Sequence, residues 1–95
     1  MRDYFFLKVN AKNARIFYTD LLYVEAVDKY VRFVTEKQTY LVLGCMCHVE
    51  KKLPPSQFCR INRSCIVSFR HITEFTCEKI LIDGNEFTLG KQYRE

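Results

Sequence analysis

Turn signals punctuate this chain so often that no apolar run is long enough for a βαβ unit or a membrane-spanning helix. A succession of short strands is what remains. Tyr4–Val9 reads as the first, residues 10–13 as a turn and Ala14–Tyr18 as its hairpin partner. Asp20-Leu21-Leu22 begins with a turn or a single helical turn. Tyr23–Val27 and Tyr30–Thr35 then form a second hairpin, closed tightly at Asp28-Lys29. The strand period of two places Tyr30, Arg32 and Val34 on one face of that hairpin and Val31, Phe33 and Thr35 on the other. Thr39–Leu43 follows the polar turn Glu36-Lys37-Gln38, and Gly44 ends it.

One stretch has helical spacing. Met46, Val49 and Leu53 recur along Cys45–Leu53 with Glu50, Lys51 and Lys52 on the polar side, and Pro54-Pro55 stops the helix because proline lacks the amide hydrogen. Beyond it, Phe58 and Ile61 on one side and Cys65-Ile66-Val67 on the other seek burial around Asn62-Arg63-Ser64. A connector this short presents the Arg63 guanidinium from a nearly fixed point, as a recognition residue requires; the alternative is a plain turn with a solvated Arg. Phe69-Arg70-His71 turns the chain, Ile72–Cys77 and Lys79–Ile82 are strands, and Asp83-Gly84-Asn85 is a turn into Glu86–Leu89. Gly90–Glu95 closes the sequence as a loop or the first turn of a helix. The expected fold is mainly β, with about nine or ten short, mostly antiparallel strands and one short helix, in a barrel or layered-sheet domain.

Charge is distributed unevenly. The net charge is +4, and residues 51–73 contain no acid but include Lys51, Lys52, Arg60, Arg63 and Arg70. Glu74, Glu78, Asp83 and Glu86 crowd a later segment. A basic side facing a polyanion fits this division, as does a merely solvated basic run. At 95 residues, with 48% apolar and 27% charged residues, the chain is one globular domain. The N-terminus lacks the order of a signal peptide, so a cytoplasmic protein with no membrane contact is expected. The cysteines are then reduced thiols, mostly buried.

Chemistry of other kinds has little to stand on. The three glycines are isolated, which argues against a phosphate-cradling loop, and Ser64 sits in no nucleophile motif. No enzyme and no cofactor are expected. In Cys45-Met46-Cys47-His48, helical spacing would bring Cys45 and His48 together and send Cys47 elsewhere, so no metal site is expected either. Cys59 and Cys65 flank the connector, which leaves redox sensing as a minor alternative. The basic residues Lys12, Lys29, Arg32, Lys51, Lys52, Arg60, Arg63, Arg70 and Lys91 fall in connectors, strand ends or the helix. DNA would therefore be read by loops rather than by a recognition helix. A module that pairs with another protein through exposed strand edges is the alternative from a different class.

Three segments together resemble the LytTR-type DNA-binding domain, the output half of many bacterial response regulators. They are Asp20-Leu21-Leu22-Tyr23-Val24-Glu25-Ala26-Val27-Asp28-Lys29-Tyr30-Val31, then Leu53 through Ser68 with Ile72 after it, and finally Phe87-Thr88-Leu89-Gly90-Lys91-Gln92-Tyr93. The resemblance implies an elongated fold of about ten strands in three small sheets, whose loops enter DNA major grooves at one end. It places base reading at Arg63, Lys91 and Val31 or its neighbours, Tyr30 foremost. DNA-backbone contacts would come from Arg60, Ser64, Arg32, Lys29, Asn62, Gln92 and Arg70. Val31 stands where some members carry a polar reader, Asn62 where His is usual, and Lys91 where Arg is usual. The implied partners are double-stranded DNA with paired short repeat elements, a second copy on that DNA, and a receiver domain that this chain does not contain.

Overall fold

A computed structural model of the chain describes residues 3–93. Its strands are β1 (Tyr4–Val9), β2 (Lys12–Phe17), β3 (Leu21–Val27), β4 (Tyr30–Thr35), β5 (Thr39–Leu43), β6 (Phe58–Asn62), β7 (Cys65–Ser68), β8 (Ile72–Phe75), β9 (Lys79–Ile82) and β10 (Asn85–Thr88). The helix α1 (Met46–Lys52) links β5 to β6, and single 3-10 turns occupy Tyr18–Asp20, Phe69–His71 and Lys91–Tyr93. The mainly β expectation and the single helix are met. Arg94 and Glu95, within the expected terminal segment, lie outside the described residues.

Where boundaries differ from expectation, the reason is local. The first turn is only Asn10-Ala11, because Asn10 takes a left-handed φ of 60° and lets Val9 pair directly with Lys12. Strand β3 starts at Leu21 because Leu21 and Leu22 are both buried, one in each of two separate apolar clusters. Strand β8 stops at Phe75, short of Cys77, since the Thr76 hydroxyl accepts the amides of Glu78 and Lys79 and turns the chain. Asp28 (φ 59°), Asp83 (φ 49°) and Gly84 (φ 82°) supply the left-handed positions of two further tight hairpins.

The strands form three antiparallel sheets: β1-β2, β5-β4-β3-β7-β6 and β10-β9-β8. The molecule is elongated, 40 × 27 × 25 Å. The five-stranded sheet separates the two apolar clusters. On one face, Leu21, Val24, Val31, Phe33, Phe58 and Ile66 pack against Ile16 of the first hairpin and against Met46 and Leu53 of the helix segment. On the other, Leu22, Ile61, Cys65 and Val67 meet Ile80 and Ile82 of the last sheet, with Phe87 and Tyr23 rings at 4.6 Å. Every residue of β7 is buried.

Replacing Ile66, at the centre of the large sheet, by alanine is expected to cost about 2–5 kcal/mol in urea unfolding. Leu43→Ala, at a side chain 67% exposed on the outer strand, should stay within about 0.5 kcal/mol of the parent. Equal losses in the two variants would contradict the central position given to β7.

Candidate nucleic-acid interface

Backbone pairing gathers three connectors at one end of the large sheet. Glu25 pairs with Cys65, and the Ala26 amide donates to the Ser64 carbonyl at 2.8 Å, so the Asp28-Lys29 and Arg63-Ser64 turns lie side by side. The Gly44 amide donates to the Lys29 carbonyl at 3.2 Å and brings the end of β5 alongside. The third connector is the C-terminal turn. The Gly90 amide donates to the Ile61 carbonyl at 2.7 Å and Asn62 Nδ2 to the Thr88 carbonyl at 2.7 Å, which seats Lys91 and Gln92 beside β6. Lys29, Tyr30, Arg63, Ser64, Lys91 and Gln92 are thus brought together.

The Arg63-Ser64 turn has no left-handed residue. Side chains hold it instead. Arg60 Nε donates to the Asn62 carbonyl at 3.2 Å, its second terminal nitrogen to the Arg63 carbonyl at 2.6 Å, and its first to Glu50 of α1 at 3.0 Å. Only a planar fork of five donors can reach all three acceptors from one side chain. The Asn62 carboxamide oxygen accepts the Ser64 amide at 2.8 Å and the Ser64 hydroxyl at 3.2 Å. The result is a rigid platform under Arg63. The Arg63 side chain itself is exposed and makes no hydrogen bond or ion pair among the described residues, as is also true of Lys29 and Lys91.

Several expected DNA contacts stand elsewhere. Val31 is 1% exposed in the core, because the period that exposes Tyr30 (41%) turns Val31 inward; its side chain is not available to a base. Arg70 follows β7 to the opposite end of the sheet, beside Glu36, His71 and Asp83. Arg32 lies directly across from Glu25 and is ion-paired with it on the face that also carries Tyr23 and Cys65, so its charge is already matched. Arg60 and Asn62 direct their polar atoms to protein partners, in the connector and, through Glu50 and the Thr88 carbonyl, beyond it. Sequence reasoning did not find Glu50, the Gly90 tie or the Gly44 tie; all three depend on contacts distant in sequence.

The cysteines are not mostly buried as expected: Cys45, Cys47 and Cys77 are exposed, Cys59 is half-buried and Cys65 alone among the five is buried. Cys65 is buried, and its pKa is pushed up to about 12, first by burial and then by the Glu25 charge, which removes it as a redox sensor. Tyr23 nearby is raised by the same two causes in the same order. Cys45, Cys47 and His48 are exposed, and Cys47 does not point away as helical spacing implied: the two sulfurs lie 2.7 Å apart. That contact holds Cys45 below and Cys47 above the usual thiol value.

A mainly β domain that gathers exposed cations on connectors at one end of a sheet has the surface a DNA-binding domain requires. The comparisons agree. The family described as LytTr DNA-binding domain matches residues 11–95, and the chain belongs to that family. It is 34% identical over 80 residues to the sensory transduction protein LytT of Bacillus anthracis, covering 78% of this chain and 32% of that one. LytT of Bacillus subtilis is 31% identical over 80 residues, covering 78% and 33%. The chain therefore spans about a third of the length of these relatives. A solved structure described as the LytTr DNA-binding domain of a putative methyl-accepting/DNA response regulator from Bacillus cereus shares the fold, with a TM-score of 0.80 at 24% identity over 98% of this chain and 91% of that one. Among the described residues, no helix is long and apolar enough to cross a membrane.

Arg60→Ala is expected to destabilise the fold by about 1–3 kcal/mol through its two carbonyl bonds, the exposed Glu50 pair adding little. Arg60→Lys, with one ammonium for two carbonyls, should recover only part; an unchanged urea midpoint in the alanine variant would refute the clamp. Cys65 supplies a pH test. Its folded pKa is raised, so its contribution is intact below the ordinary thiol pKa and declines as pH rises toward 12. Between pH 8 and pH 10 the parent should lose about 1–2 kcal/mol more than Cys65→Ala, as unfolding titrations at the two pH values will read.

Proposed function

We propose that this domain binds specific double-stranded DNA with the end that carries Arg63, Lys91 and Tyr30, as the output half of a two-component-type transcription regulator in the bacterial cytoplasm. The observation that carries this reading is the Arg63 guanidinium: exposed, unpaired among the described residues, and projected from a turn that Arg60 and Asn62 hold rigid. A bidentate Arg reads guanine O6 and N7 in the major groove. Lys91 offers a second, less directional donor for the same edge, because ammonium lacks the planar fork.

Lys29, Ser64 and Gln92 stand around these two as phosphate contacts that set register without reading sequence. Tyr30 adds a phenol on the same end. The family's implied partners extend the reading. They are paired short repeats in the DNA, a second copy bound to them, and a receiver domain elsewhere in a longer protein, the last of which has room in relatives about three times as long. Phosphate neutralisation would make affinity fall steeply with salt.

Selection from random duplex DNA would supply the site. On that site Arg63→Ala is expected to cost about 1–3 kcal/mol and relax preference at one position, with little change on scrambled duplex, as anisotropy titrations can measure. An equal loss on both duplexes would make Arg63 a phosphate contact and remove it as a reader.

A further inference from the structure

Cys45 stands just before α1, in extended backbone with ψ 154°, and its side chain makes no capping hydrogen bond. A side chain at that position folds back over the second and third residues of its helix, and here those residues are Cys47 and His48. The extended backbone at Cys45 therefore does what helical spacing does not: it lets all three donors come together. The two sulfurs are 2.7 Å apart, and one donor atom from each of Cys45, Cys47 and His48 lies within 4.8 Å of the others. Met46, between the cysteines, is 5% exposed in the core cluster and anchors the segment, while the three donors all face solvent. Burial explains Cys65 but not these thiols.

We propose that Cys45, Cys47 and His48 bind one thiophilic d10 cation, zinc(II) or copper(I). Both thiols release their protons to solvent and ligate as thiolates, and His48 ligates as neutral imidazole. With zinc the assembly carries no net charge. Metal–sulfur bonds of about 2.3 Å and tetrahedral angles require sulfurs about 3.8 Å apart, so the pair opens by about an ångström, within reach of side-chain rotation at an exposed site. Soft thiolates favour these two metals over magnesium, calcium or manganese, and the position left by three protein donors falls to water in the zinc case. The Gly44–Lys29 backbone bond places this centre next to the Asp28-Lys29 connector, which on the proposed reading faces DNA.

The test uses the tag-free 95-residue chain kept reduced with a phosphine. Zinc(II) is titrated in competition with a chromophoric chelator and copper(I) likewise without oxygen; cobalt(II) serves as a spectroscopic probe. One equivalent of at least one of the two metals is expected, with a thiolate-to-cobalt charge-transfer band. Cys45→Ser, Cys47→Ser and His48→Ala should each weaken binding about tenfold or more, while Cys77→Ser, at an exposed cysteine in another loop, should leave it unchanged. Circular dichroism of each variant shows whether it is folded. Failure of both metals to bind, equal weakening by Cys77→Ser, or recovery of Cys45 and Cys47 as a disulfide that survives the phosphine would each overturn the site.

Discussion

The fold depends on a four-residue strand that has no exposed face. Strand β7 is hydrogen-bonded on both edges, to β3 and to β6, and its side chains alternate between two cores. Ile66 enters the cluster shared with the first hairpin and the helix, while Cys65 and Val67 enter the one shared with the last sheet. A strand covered on both faces needs apolar residues at successive positions rather than an alternating pattern, which is why Cys65-Ile66-Val67 runs without interruption. The short sheets on either side cannot close a core alone, since a two- or three-stranded sheet has too little surface to bury. Each is completed by the same central sheet.

At the end of that strand the protein makes a turn of an unusual kind for this chain. The other tight hairpins rely on Asn or Asp in left-handed backbone, with Gly84 beside Asp83 in one of them. The Arg63-Ser64 turn relies on the Arg60 guanidinium and the Asn62 carboxamide, which occupy carbonyls and an amide that a short loop would otherwise leave to water. Backbone of ordinary handedness leaves the Arg63 position open to any residue type. The exposed side chain can then change without disturbing the support beneath it.

Much of this architecture was legible in the residues, for a physical reason: alternation and turn chemistry are local. The β4 pattern separated Val31 and Phe33 from Tyr30 and Arg32 correctly, and it already argued against Val31 as a reader, a role that came from family position alone. What stayed illegible depends on topology. Nothing near Arg70 shows that β7 carries it to the far end, and nothing near Arg60 reveals a partner ten positions earlier on α1. Arg32 is ion-paired with Glu25, a partner that only strand register places opposite it. Cys47 was misplaced because a periodicity of 3.6 describes helix interiors, whereas Cys45 sits outside the helix and bends over its first turn. Arg63 gained its standing from family resemblance, and its chemistry alone permitted other readings.

The seat of the C-terminal turn has one more consequence. Gly90 lies so close to β6 that a Cβ there would meet the Tyr93 ring at 3.1 Å and the Ile61 carbonyl at 3.4 Å, and Asn62 fastens the same turn from the connector side. The backbone positions from which Arg63 and Lys91 project are accordingly set relative to each other by contacts within the protein. With these two as readers, the domain behaves as a calliper. On the proposed reading it would respond to the helical phase between two groups of bases as well as to their identity, and a duplex with the right bases one step out of phase would fit its jaws no better than a duplex with the wrong ones.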